Sequence, residues 1–201
     1  MILTFNIPIY RFFSEEAHLE SMLTEGLVYF NTIKAFNTLN DPQYQDIDEG
    51  GHMFKQDTSK GWTSTGSNDG PKLISSVTIR KRRIPDAWAF CGTCSTVSKA
   101  KKQFAIRVDH PMDFVRQLDY SIEQRFGTKL NILFGPVSYY NLNMDMLSPQ
   151  EQPPYFSKLE KYKDDLEFRI VIIPPDNIKD LKPEVFKLPE PNKIFSKALI
   201  L

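Results

Sequence analysis

The sequence predicts an α+β fold: a mixed, mainly antiparallel sheet with two or three helices. Three observations carry that expectation. Strand-like runs, about seven of them, outnumber the helical patterns. The helical patterns sit early and in the middle of the chain and do not alternate with strands, as a parallel open sheet would require. Fourteen prolines against nine glycines favour short elements and irregular connections over long helices.

The elements follow in order. Residues 7–13 are rich in Ile, Tyr and Phe and predict a first strand. Ser14 followed by Glu15, Glu16 and Ala17 predicts a helix start, since Ser caps and acids suit the first turn. Leu19, Met22 and Leu23 fall on one helical face, and Glu25-Gly26 reads as the stop. Residues 27–31 predict a second strand, and Asn40-Asp41-Pro42 a turn. The acidic stretch 46–51 and the Gly/Ser-rich stretch 59–70 read as loops. Residues 73–80, 87–91 and 104–108 predict three further strands. Phe114, Val115, Leu118, Ile122 and Phe126 are spaced for a helix over 112–126, with Pro111 suited to its first position. Residues 132–140 predict a strand broken by Gly135-Pro136. Residues 156–165 are mixed and charged. Residues 168–173 predict a buried strand stopped by Pro174-Pro175.

A chain of 201 residues is one domain's length. The expected division is a single α+β domain over 1–175 and a Pro-rich tail over 176–201. The apolar end of that tail suits docking on the domain or on a partner. Lys+Arg and Asp+Glu are both 25, so bulk charge gives no reason to bind nucleic acid or acidic lipid. No stretch approaches the roughly 18 apolar residues of a membrane helix. The first ten residues lack a basic leader, and Asn6 and Pro8 interrupt their apolar run. No signal peptide is therefore expected, and a cytoplasmic protein is the default.

Several groups are candidates for chemistry. Cys91-Gly92-Thr93-Cys94 has redox spacing, but a redox pair needs a helix after it. Here Ser95, Thr96 and Val97 are poor helix formers. No second ligand pair completes a zinc site. Arg80, Lys81, Arg82 and Arg83 form a basic run suited to phosphates or simply to solvent, with Lys99, Lys101 and Lys102 a second cluster. His18, His52 and His110 show no ligand spacing. Asp165, Glu167 and Arg169 alternate at the mouth of the strongest strand, which would set both carboxylates on one face. Arg169 shares that face and is placed to hold a carboxylate, as a functional clamp or a plain edge salt bridge.

The order of motifs resembles a known family. Tyr10-Arg11-Phe12 opens a strand, and Glu25-Gly26-Leu27 precedes Tyr29-Phe30-Asn31. Phe36, Asn40-Asp41-Pro42, Thr93-Cys94-Ser95, Pro136-Val137-Ser138-Tyr139, Phe156-Ser157-Lys158 and Asp165-x-Glu167-x-Arg169 follow. Over about residues 7–173 this resembles the bacterial and phage family known as domain of unknown function 2971. The chain departs from that pattern where Asn37-Thr38-Leu39 splits Phe-Asn-Asp-Pro, and where residues 97–103 replace Trp-x-x-Tyr.

The layout also resembles an ADP-ribosyltransferase fold. That resemblance implies an enzyme using NAD as substrate to modify a macromolecule, protein or nucleic acid, in a phage, toxin or defence context. It implies Arg11 on the phosphates or nicotinamide ribose, and Ser95 and Thr96 in the place of a Ser-Thr motif. Glu167 would be the catalytic acid and Asp165 its partner, with Tyr10, Tyr29 and Phe30 stacking on nicotinamide. A fixed carboxylate suits this chemistry, because breaking the nicotinamide–ribose bond develops positive charge on the sugar. Two other classes stand beside it. One is a non-enzymatic interaction protein, a phage-type inhibitor or nucleic-acid-binding module, working through the basic runs. The other is a thiol redox protein using Cys91 and Cys94. No metal and no membrane partner is expected.

Overall fold

The computed structural model describes residues 7–36, 51–57, 77–83, 85–97, 102–140, 154–175, 178 and 180–200. Strand β1 (Ile9–Phe13) leads into helix α1 (Glu16–Glu20), which widens into a π-type turn over Ser21–Glu25. Then come β2 (Leu27–Thr32), a short α2 (Ile33–Phe36), and an antiparallel hairpin of β3 (Gly51–Asp57) and β4 (Val77–Arg83). Strands β5 (Trp88–Thr93) and β6 (Phe104–Val108) precede the long helix α3 (Pro111–Phe126). The remaining elements are β7 (Asn131–Pro136), β8 (Ser138–Tyr140), β9 (Ser157–Leu159), β10 (Glu167–Ile173), β11 (Glu184–Lys187) and β12 (Phe195–Ala198). The fold is α+β with mainly antiparallel strands, as the sequence predicts.

The main sheet runs β11-β2-β5-β1-β6-β12, with β10 lying between β5 and β7. Every pairing in it is antiparallel. Strand β10 is buried on both faces, which is why its sequence reads as an unbroken apolar run. Phe168, Ile170 and Ile172 point to one side, with Trp88 and Phe90 of β5. There they meet Phe114, Leu118 and Ile122, the buried stripe of α3. Phe90 and Phe114 pack edge to face at 5.2 Å, and Phe114 also meets Phe195 of β12 at 5.4 Å. Each such side chain contributes about 1.5–3 kcal/mol by leaving water. On the opposite side Ala89 and Val171 pack with Ile33, Tyr155 and Phe156 in a smaller cluster.

Local differences from the sequence expectation have physical reasons. The first helix starts at Glu16, and neither Ser14 nor Glu15 makes a side-chain cap. The basic run lies within β4, paired along its length to β3. Gly51 opens β3 where a loop was expected. The segment past Pro175 supplies two of the outer strands: β11 pairs with β2, and β12 with β6. Neither four-residue strand carries enough alternation to stand out by periodicity. The turn expected at residues 40–42, the loop at 59–70, residues 73–76 of the predicted strand, and Lys99 and Lys101 lie outside the described residues.

Two helix stops use glycine in the left-handed region, Gly26 at φ 70° and Gly127 at φ 68°. A Cβ on Gly26 would come within 2.4 Å of the Leu188 carbonyl oxygen, whereas one on Gly127 meets nothing within 4 Å. Gly127→Ala is expected to cost about 1 kcal/mol, the left-handed penalty alone. Gly26→Ala should cost at least about twice that, because the Leu188 backbone must also move. Urea unfolding of the two variants checks the contrast; equal losses would contradict it.

Candidate active site

The polar centre of the molecule lies at the N-terminal end of β10. Glu167 is opposite Thr93 of β5, and Thr93 is opposite Tyr10 of β1. The three therefore form one row across the sheet, on the face away from α3. Arg169 stands opposite Cys91 on that same face. Its Nε donates to Glu167 Oε1 at 2.6 Å and its Nη1 to the Tyr155 carbonyl at 2.7 Å. Lys158 Nζ lies 2.8 Å from Glu167 Oε2. Lys158 comes from β9, which runs parallel to β8 and sets Lys158 opposite Tyr139. The Tyr139 hydroxyl accepts the Glu167 backbone N–H at 2.9 Å.

These contacts fix the protonation states. Burial opposes ionisation of Glu167, but the charges and hydrogen bonds of Arg169 and Lys158 outweigh it and hold the carboxyl at about 2. Burial pushes the Tyr139 hydroxyl up to about 12, and the charges of Glu167 and Asp165 add to that. Tyr139 is therefore a neutral phenol beside an ionised carboxylate.

Residue Leu166 sets the chain's entry into this strand. It has φ 44°, the one non-glycine positive φ among the described residues. Its side chain is half exposed. The backbone is pinned instead: Leu166 N–H donates to the Lys163 carbonyl at 3.3 Å, and its carbonyl accepts the Cys94 N–H at 2.9 Å. The Thr93 hydroxyl donates to the Asp165 carbonyl at 2.7 Å and accepts the Ser95 N–H at 3.0 Å. A left-handed Leu costs roughly 1–2 kcal/mol, which these contacts offset.

A second feature is a fork in the sheet. Strand β10 covers one edge of β5 from Trp88 to Thr93. The other edge is shared: β2 takes Trp88 and Ala89, and β1 takes only Thr93. The Arg11 side chain fills the gap, donating from Nη1 to the Cys91 carbonyl at 3.3 Å. Its guanidinium sits 4.5 Å from the Phe90 ring centre. Burial pulls the Arg11 pKa down, with Cys91 and Tyr29 acting the other way. No carboxylate among the described residues pairs with it. Gly92 makes the close approach possible, since a Cβ there would fall 2.5 Å from an Ile9 methyl.

The structure brings some of the expected residues together and separates others. Tyr10, Glu167 and the Thr93-Ser95-Thr96 turn gather at one end of β5 and β10. Arg11 follows Tyr10 in β1, so it projects from the opposite, α3 side, and its guanidinium lies in the fork against Phe90. Tyr29 is exposed at the rim. Phe30 is a correction: it is fully buried, edge-on to Phe186 at 5.3 Å, and offers no stacking surface. Asp165 is another, since it belongs to the 3₁₀ turn Glu160–Asp165 and the left-handed Leu166 breaks the alternation assumed for it. Its carboxylate still lies close enough to act on Tyr139.

Thr93, Tyr139 and Lys158 were missed as site residues. All three lie in the Thr-Cys-Ser, Pro-Val-Ser-Tyr and Phe-Ser-Lys motifs, where the signal was present without a role attached. Cys91 lies in β5 and Cys94 just beyond it, neither at a helix start, and burial pushes the Cys94 thiol up. That is the opposite of an activated thiol. An open groove of about 680 Å³ lies elsewhere, between Tyr120 of α3 and Val185 of β11, and none of the cluster lines it.

Two outcomes follow for stability. The folded pKa of Glu167 lies below its unfolded value, so its stabilisation is complete above the ordinary carboxylate range and lost as pH falls towards 2. On the order of 3 kcal/mol should disappear between about pH 5 and pH 2, and Glu167→Gln should flatten that part of the profile. An unchanged slope in the variant would count against the assignment. Leu166→Gly should be more stable than Leu166→Ala by about 1 kcal/mol, measured by thermal melting, because only glycine escapes the left-handed penalty. Comparison of the chain with protein-family models, with curated proteins and with solved structures finds no match in any of the three. No helix among the described residues is long and apolar enough to cross a membrane.

Proposed function

We propose that the chain is an NAD-dependent ADP-ribosyltransferase acting on a macromolecule, protein or nucleic acid. The observation that carries this reading is the ionised Glu167 in one row with Thr93 and Tyr10, beside a fork holding the guanidinium of Arg11. Glu167 and Tyr10 lie two strand spacings apart, roughly 10 Å. That separation suits a nicotinamide riboside laid across the end of β5, with its phosphates reaching the fork. Arg11, with one hydrogen bond among the described residues, keeps donors for phosphate oxygens, which its fork-shaped guanidinium matches bidentately.

In the reaction, the acceptor's nucleophilic atom bonds to ribose C1′ as the C1′–nitrogen bond breaks. The bonding pair passes to the nicotinamide ring, which leaves neutral. The acceptor's proton goes to a base, for which Asp165 is the nearby carboxylate. Positive charge grows on the sugar in the transition state, and a carboxylate that stays ionised stabilises it. Tyr10 and the exposed Tyr29 supply flat faces for the departing ring.

The test is nicotinamide release from NAD in the presence of cell lysate, with transfer of label from tagged NAD. Glu167→Gln, checked for folding by circular dichroism, should lower turnover on the order of 10²–10³-fold. Arg11→Ala should mainly weaken NAD binding. Full turnover in folded Glu167→Gln would overturn the assignment.

A further inference from the structure

Both carboxylate oxygens of Glu167 are occupied, Oε1 by Arg169 and Oε2 by Lys158. The two cations differ. Arg169 is held at both ends, 1% exposed, and belongs to the same strand as Glu167. Lys158 comes from the three-residue strand β9 and carries a flexible stem; while on Oε2 its ammonium also lies 5.0 Å from the Tyr162 ring centre, which Lys161 approaches to 4.6 Å.

Resting on the transferase reading, we infer that Lys158 is a resident counter-ion on Glu167 that substrate displaces. Oε2 is the oxygen left to receive a ribose hydroxyl, because Arg169 is locked on Oε1. The nicotinamide ring of NAD is cationic, and the sugar becomes cationic in the transition state. An ammonium on Oε2 would oppose both by like-charge repulsion. In the free protein the same ammonium satisfies the second oxygen of a buried carboxylate. Lys158 therefore leaves Oε2 as the ribose arrives, and returns after release. It is a positioning residue: it stabilises the empty site and sets the cost of filling it.

The inference predicts the reverse of a simple electrostatic expectation, since removing a cation should tighten binding of a ligand that carries two phosphates. In Lys158→Met the Glu167–Arg169 pair remains neutral overall, so the variant should fold. If Lys158 occupies Oε2 about nine-tenths of the time, the variant should bind NAD about tenfold more tightly by calorimetry. In the unmodified protein, NAD should increase acylation of Lys158 by an amine-reactive reagent several-fold, read by peptide mass spectrometry. Equal or weaker NAD binding by Lys158→Met, or protection of Lys158 by NAD, would overturn the displacement while leaving the transferase reading intact. Absence of both NAD binding and nicotinamide release, in the unmodified protein and in the variant, would overturn the transferase reading and the displacement with it.

Discussion

A charge taken out of water must be paired where it lands, and β10 carries two charges into a strand covered on both faces. That constraint organises this end of the molecule. Arg169 is fixed by Glu167 and by the Tyr155 carbonyl, which draws the 3₁₀ turn Pro154–Phe156 against the sheet. Glu167 is fixed in turn by Lys158, which anchors β9 and, through the parallel pair, β8. Val137 N–H donates to the Glu167 carbonyl at 2.9 Å, closing the same ring of contacts from the β7 side. The small β8–β9 sheet thus depends on a polar cluster as well as on apolar packing.

The fork in the sheet follows from sharing one edge of β5 between two strands. A carbonyl facing the gap has no strand to pair with, and an unpaired buried carbonyl costs roughly 1–3 kcal/mol. Arg11 supplies the missing donor to Cys91. The guanidinium gains from the Phe90 face but loses hydration, which is why its pKa is pulled down. The same side chain thus closes part of a sheet edge and covers an aromatic face of the core.

Much of this fold was legible in the sequence, for reasons that differ element by element. Helix α3 announced itself through Phe114, Leu118 and Ile122 together with Pro111, because periodicity and the start signal agreed. Strand β10 showed through composition, since burial on both faces forbids polar alternation. The Arg169–Glu167 clamp followed from the two-residue strand period, but that it is buried did not, because burial depends on β5 and β7 flanking it. Asp165 was misplaced by the same period, carried one step past a chain reversal that Leu166 gave no composition signal for. Strands β11 and β12 were illegible because each is short and finds its partner far away in sequence.

On the transferase reading, the structural and chemical roles of Glu167 need not compete. A carboxylate recruited only for stability is satisfied by a single bidentate arginine lying on both oxygens. Here the arginine uses one oxygen and spends another of its nitrogens on a backbone carbonyl, and a flexible lysine from a separate small sheet takes the second oxygen. Splitting the two contacts between a rigid partner and a movable one gives up geometric strength. On the transferase reading, one oxygen is exchangeable while the carboxylate stays aimed and ionised. That division is the one a site would use if it had both to survive empty and to receive a hydroxyl.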